Sequence, residues 1–484
     1  MSIKKSLLFS FAEKYTVLAL GFVSSIVLSR LLTPAEVGVY SIGSVVVAVL
    51  QIVRDFGVGQ YLVKERELTP VKIRAAYSLT LMIAWLIAAV LVLASGPLAD
   101  FYREPGVGQV LRALALNCLL IPFGSITLPV LRREMRFGAI YCINVTSAVV
   151  SLVASIVLVL AGFSFMALAW AAVAGVAASV LTSMLFRPAY MPWLPSLKGV
   201  RELLPFGAYA TGSNILDEVA VGAPDILIGR LINMEAVGLY SKGQSLVTLF
   251  NMLITRAVTP VVQPLFASQV RAGTDMKQVY LRLMSYMAGV SWPFFAVLAA
   301  LAEPMVRLLF GSQWGASVPL ARILCISAAV LSLFGMALDL FVAMGHVQKR
   351  ARLESVALPL RVTGIVLAVP FGLAAVAASI ACTNLVKAGL IYRGLSELTG
   401  MRLGELSRNL AKSLQLAALA VMPPLLALAL PALRNGPPIM LLLVAGSGAL
   451  AAWLAGIVLL QHDLKPVLMS ITGHLASRLR GQSR

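Results

Sequence analysis

The chain has 484 residues, 60% of them hydrophobic and 12% charged, with a mean hydropathy of +0.91. A soluble domain carries about 25% charged residues, so the composition excludes one and describes a polytopic helical membrane protein. The formal net charge of +19 would suggest nucleic acid in a soluble protein, but here the basic residues mark one side of a membrane and no nucleic-acid partner is expected.

Apolar runs of about eighteen residues, each rising about 27 Å as a helix, recur along the chain. They predict an all-α fold of about fourteen transmembrane spans, near 12–29, 37–53, 75–95, 110–128, 138–161, 165–186 and 205–229, then 236–264, 279–302, 316–344, 353–370, 371–392, 410–430 and 439–460. Pro370 and Gly372 are the only break between the eleventh and twelfth, so thirteen spans are an alternative. No signal-peptide cleavage site precedes the first long span, which is expected to stay as a helix. With the N-terminus inside, 28 of the 39 Lys and Arg residues fall on cytoplasmic segments or the span ends beside them, seven likewise on the opposite side, and four deeper within spans. That alternation fits an even span number with both termini cytoplasmic. No loop before the C-terminal tail leaves room for a soluble catalytic domain.

The loop after the first span reads R-L-L-T-P-A-E-V-G-V-Y-S-I-G over residues 30–43, and residues 230–243 read R-L-I-N-M-E-A-V-G-L-Y-S-K-G. Seven of these fourteen positions agree, against about one by chance, and both copies lie between apolar spans, as in an internally duplicated transporter. The Pro-rich segment 188–204 is the linker between halves. The expected organisation is an N-lobe (1–204, spans one to six), a C-lobe (205–400, spans seven to twelve), and a final helix pair with a basic tail (401–484). The segment 132–136 at the cytoplasmic end of span four, R-R-E-M-R, reads as a positive-inside anchor or as a contact for anionic lipid.

A charge inside a span costs about 2.5–3.5 kcal/mol on insertion scales, so it faces a partner or a wet cavity. At 100° per residue, Asn214, Asp217, Glu218 and Asp225 form a stripe about 100° wide on span seven. Lys242, Ser245 and Arg256 fall within about 60° on span eight, and Ser41, Ser44, Gln51 and Asp55 within about 80° on span two. Two readings stand side by side. Lys242 and Arg256 hold an anionic head group, Arg through its planar fork and Lys as a point charge; or Asp217 and Asp225 pair with them to tie the helices together. Asp217 and Glu218, side by side, can share a proton as a coupling-ion site. Asp339, Arg361 and Lys387 are further charges of the second half; Arg361 and Asp339 can pair, and Lys387 can snorkel.

The four cysteines (Cys118, Cys142, Cys325, Cys382) show no metal-ligand spacing and read as small core residues. The histidines (His346, His462, His474) lie far apart, in loops or the tail. No nucleophile elbow, phosphate loop or metal cluster is present in the sequence, so no enzyme is expected and no cofactor beyond proton or sodium coupling. The last two spans read as lipid-facing structure or as a groove for a lipid tail.

Four stretches together resemble the polysaccharide transporter family of the multidrug/oligosaccharidyl-lipid/polysaccharide exporter superfamily. They are L-L-T-P-A-E-V-G-V-Y at 31–40, D-F-G-V-G at 55–59, L-R-R-E-M-R-F at 131–137, and Asp225 before Ile228-Gly229-Arg230 running on to Tyr240. The resemblance covers about residues 1–400 and implies two six-helix lobes facing each other in a V, plus two C-terminal helices. It implies a flippase that turns undecaprenyl-diphosphate-linked oligosaccharide from the cytoplasmic to the periplasmic leaflet of a bacterial inner membrane, for exopolysaccharide, capsule or O-antigen. The implied partners are that lipid, the bilayer, and a polysaccharide polymerase with its export machinery, around a monomer. Lys242 stands where the family often has a basic residue after the Tyr, and Asp225 matches the family's aspartate. Related flippases bind diphosphate through basic residues deep in the first lobe's spans; this chain has few there, and Lys14 and Arg54, near span ends, are the ones that could serve. Asn233-Met234 departs from the family's Leu-Gly. The alternatives are a cation-coupled drug or small-molecule exporter of the same superfamily, which would want an acid-dominated cavity, and a membrane polymerase or ligase, which would want a long outward loop.

Overall fold

The structure, a computed structural model, describes residues 3–192 and 194–470, and among these it is helical with no strand. Contacts divide the chain into two compact units, Met1–Ser241 and Lys242–Arg484. The division falls one helix beyond the linker at 188–204.

The first unit runs α1 (Ile3–Leu31), α2 (Pro34–Asp55), α3 (Val58–Lys64), α4 (Pro70–Tyr102), α5 (Pro105–Leu120), α6 (Pro122–Ser125), α7 (Thr127–Arg133), α8 (Phe137–Leu160), α9 (Met166–Leu185) and α10 (Val200–Leu231), and ends inside α11 (Met234–Phe250). The second continues through a π turn (Asn251–Thr255) into α12 (Arg256–Arg271), α13 (Met276–Ala300), α14 (Ala302–Leu309), α15 (Ser317–Phe334), α16 (Ala337–Ala343), α17 (Val347–Ala368), α18 (Leu373–Thr399), α19 (Leu403–Ala429), α20 (Pro431–Arg434) and α21 (Pro438–Leu459).

Helices occupy all fourteen expected stretches. Among the described residues eleven are long and apolar enough to cross a membrane; a twelfth is the pair Pro105–Leu120 and Pro122–Arg133, bent by 42°. The two stretches outside that number are the seventh and eighth, α10 and α11–α12, which carry the polar stripes. Among the described residues, length and composition support eleven to twelve spans. The eleventh and twelfth stretches are separate: a 3-10 turn (Val369–Phe371) and Gly372 at φ 88° end α17 and start α18. Large apolar side chains such as Leu93, Leu185, Leu367 and Leu459 stand exposed on the outer faces, as lipid-facing residues do. Cys118 and Cys325 are buried, whereas Cys142 and Cys382 are exposed instead of lying in the core.

Helix starts follow from caps. Thr33 and Glu36 form a capping box before α2, with the Thr33 N–H donating to Glu36 Oε2 at 2.7 Å. At the equivalent place in the repeat, Asn233 Oδ1 accepts from Ala236 N–H at 2.8 Å. The sequence departure at Asn233 therefore keeps the turn's function.

The two copies of the repeated motif meet inside the first unit. A methyl group on Gly38 would overlap the Met234 carbonyl, and one on Gly238 would overlap the Pro34 carbonyl. Ser41 Oγ donates to Ser241 Oγ at 3.4 Å. Every partner is the other's repeat equivalent, so the contact has local two-fold symmetry. Small residues are what lets helix backbones approach this closely in a membrane.

Candidate functional site

The larger cavity lies in the first unit and measures about 570 Å³. Its wall includes the last turn of α2, the turn into α3, the bend at α6–α7, and α9. The D-F-G-V-G stretch shapes it: Phe56 (φ 37°) and Gly57 (φ 65°) are both left-handed, which stops α2 and turns the chain sharply into α3. That break brings Arg54 and Asp55 to the cavity wall, where Arg132, Gln60 and Thr80 also stand.

Arg54 is 8% exposed. Its Nε and Nη2 donate to Asp55 Oδ1 at 3.0 and 2.7 Å. Nη1 is buried with no hydrogen-bond partner. A buried donor left unmade costs about 1–3 kcal/mol, more when charged. The guanidinium is thus fixed on one side by Asp55 and unsatisfied on the other, and Arg132 adds a second positive charge to the same wall.

The basic stretch at 132–136 is divided by the fold. Arg132 reaches the cavity. Arg133 braces the end of α3, with Nη1 donating to the carbonyls of Leu62 (3.2 Å) and Glu65, and Nη2 to that of Arg66 (3.0 Å). Arg136 lies 3.7 Å from Glu134, which also accepts from the Tyr190 hydroxyl at 2.5 Å. Burial, then the Glu134 bond, pushes the Tyr190 phenol up to about 12.

The sequence-derived candidates divide between the units: Lys14, Arg54, Asp217, Glu218 and Asp225 belong to the first, Lys242 and Arg256 to the second. Lys242 is buried, with Nζ 4.9 Å from the Phe310 ring centre and 5.3 Å from that of Trp314, a cation–π box; it lines neither cavity described here. Asp225 is half-buried on α10 and its Oδ1 is buried without a hydrogen bond. Glu218 is half-buried and Lys14 exposed. The side chains of Asp217 and Arg256 lie outside the described residues. The π turn interrupts the helical register between Ser245 and Arg256, so the stripe drawn at 100° per residue does not carry across it.

In the second unit, Arg361 and Asp339 do not pair. Arg361 Nη2 donates to Asn384 Oδ1 at 2.6 Å, and Asp339 Oδ1 accepts from Gln263 Nε2 at 2.8 Å. Lys387 pairs with buried Glu354 at 2.6 Å between α17 and α18 and does not snorkel. A second, smaller cavity is lined by Gln244, Asn251, Asp339 and Asn384. Sequence reasoning missed it because its walls are mostly uncharged. Its one signal was Asp339 on a spanning helix.

A family model described as a polysaccharide biosynthesis protein matches residues 27–319, more than half of the chain. The chain is 26% identical over 289 residues to the teichuronic acid biosynthesis protein TuaB of Bacillus subtilis (strain 168), covering 57% of this chain and 58% of that protein. It is 26% identical over 327 residues to the succinoglycan biosynthesis transport protein ExoT of Rhizobium meliloti (strain 1021), covering 67% and 65%. The chain therefore spans less than two thirds of the length of these relatives. Its fold is similar to that of the lipid II flippase MurJ in an inward closed conformation, at TM-score 0.75 and 10% identity, over 95% of this chain and 99% of that one.

Proposed function

Because the chain belongs to the polysaccharide biosynthesis protein family, we propose that it is a flippase for lipid-linked oligosaccharide, carrying a polyprenyl (undecaprenyl) diphosphate glycan from the cytoplasmic to the periplasmic leaflet of a bacterial inner membrane. The observation that carries the reading is the buried Arg54, its Nη1 unpartnered at the wall of the first-unit cavity. A diphosphate supplies the acceptor oxygens that Nη1 lacks, and a guanidinium can take two of them in parallel. Asp55 is largely exposed, with 69% of its side chain accessible, so it orients Arg54 without neutralising the far side. Arg132 offers a second, more flexible contact.

Catalysis in the bond-breaking sense has no part in this reading. The protein lowers the barrier to moving a charged head group by replacing its water with fixed donors, and alternating access releases it on the other side. A proton or sodium gradient, or consumption of the glycan by a polymerase and export machinery, supplies the direction. A monomer suffices in this reading.

The test is deletion of the gene in its host, with the lipid fraction and surface glycan analysed together, followed by complementation. Loss of surface glycan with lipid-diphosphate oligosaccharide retained in the cytoplasmic leaflet is expected. Arg54→Ala should fail to restore export at normal membrane abundance, and Arg54→Lys should restore part of it, because Lys keeps the charge but not the fork. Surface glycan unchanged with raised sensitivity to cationic drugs would instead establish a drug exporter.

A further inference from the structure

The second unit's cavity, about 210 Å³, has chemistry unlike the first. Its polar wall carries one carboxylate, Asp339, and three amides, Gln244, Asn251 and Asn384. Two of these are already oriented. Asp339 Oδ1 is held by Gln263, and Asn384 is held through Oδ1 by Arg361 and through Nδ2, which donates to Ser327 Oγ at 3.4 Å. Asn251 Oδ1 accepts from the Thr255 hydroxyl at 3.0 Å. This leaves Asp339 Oδ2, Asn251 Nδ2 and the whole Gln244 amide for a ligand. The apolar part of the wall includes Phe250, Phe295 and Met287.

Charge decides what class of ligand fits. The described lining residues include one carboxylate and no Lys or Arg, so the wall offers a diphosphate no cationic partner, and three amides to one carboxylate favour a ligand met chiefly by uncharged groups over an organic cation. An uncharged polyol meets it on every side: hydroxyls donate to Asp339 Oδ2 and the Gln244 carbonyl, ring or hydroxyl oxygens accept from Asn251 and Gln244, and an apolar C–H face lies on the phenyl wall. The volume admits a single ring. The π turn supplies two wall residues, Asn251 and Thr255, from one turn, and such i→i+5 turns occur frequently at functional sites.

Resting on the flippase reading, we propose that this cavity is a subsite for one sugar ring of the lipid-linked glycan, with Asp339, Asn251 and Gln244 as its specificity-determining groups. A pocket built to bond hydroxyls rejects a ligand that lacks them, because its polar groups are then left unpaired.

The experiment uses full-length protein in nanodiscs and three probes: undecaprenyl diphosphate, and the same lipid bearing one glucosyl or one galactosyl residue. At least one glycosylated form should bind about tenfold tighter than the bare lipid, the increment of about 1.4 kcal/mol. Asp339→Asn and Asn251→Ala should each cut that ratio to below about threefold and leave bare-lipid binding unchanged. Bare-lipid affinity also reports that the variant is folded. Bare lipid that binds with no glycosyl increment, or an increment indifferent to both variants, overturns the subsite alone. Absence of bare-lipid binding in the wild type overturns the flippase reading and the subsite with it. Tetraphenylphosphonium binding that Asp339→Asn abolishes would make the pocket a cation site instead.

Discussion

His462 shows how one side chain can tie the segment after α21 to neighbouring helices. It is 1% exposed, and Nδ1 accepts from the Leu464 N–H at 3.2 Å, so the proton sits on Nε2 and is donated to Ser413 Oγ at 2.9 Å. Gly289 leaves room for the ring, and the Ser285 hydroxyl donates to Asp463 at 2.6 Å. Burial lowers the His462 pKa from its usual 6.5; Asp463 opposes that and Lys412 reinforces it. The folded state therefore resists protonation more than the unfolded chain does. Stability from this residue is complete above pH 6.5 and falls as pH drops below it towards the lowered value. Melting in detergent should show a loss from pH 7 to 5 that His462→Gln reduces; an identical slope in the variant would mean that this imidazole does not titrate with unfolding. Lys242 is a different case. Its buried ammonium rests on two aromatic faces, and its neighbours Phe310 and Trp314 lie about seventy residues along the chain, beyond what any local pattern records.

At the scale of helices, glycine in a spanning helix serves either close approach or nothing. Gly38 and Gly238 abut each other's repeat across α2 and α11, whereas Gly21 on α1 has nothing within 4 Å of an added methyl group. Alanine at 38 or 238 must push two backbones apart and is expected to destabilise by about 1–3 kcal/mol, as overpacking does. Alanine at 21 is expected to stabilise by up to about 1 kcal/mol through helix propensity. Thermal melts of the three variants check the opposite signs, and a common sign would remove the close contact as the cause. The π turn is the element that helical periodicity could not foresee, since any wheel at 100° per residue assumes an unbroken α-helix. It is why Lys242 and Arg256, placed on one stripe by arithmetic, do not share a continuous helical face.

For the molecule as a whole, helix positions were legible because an apolar run of membrane length has few other uses. Helices stand in all fourteen expected stretches, although among the described residues length and hydropathy support eleven to twelve spans. The site was legible in part. Arg54 announced itself as a charge near a span end beside Asp55, but Arg132 read as a surface anchor because its approach to the α2 turn is a tertiary fact. The amide-lined cavity stayed hidden because uncharged polar residues leave little trace in hydropathy. Loop charge predicts both termini in the cytoplasm. In a cysteine-free background, Arg103→Cys should react with a membrane-impermeant maleimide in intact cells and Arg66→Cys only after lysis; the reverse pattern would invert the protein. The paired glycines carry one more consequence. Each spares a carbonyl in the other copy of the motif, not in its own, so neither copy can cover for a fault in its twin. In a catalogue of tolerated codons, positions 38 and 238 should behave as a single locus, since each half of the contact is the mould of the other.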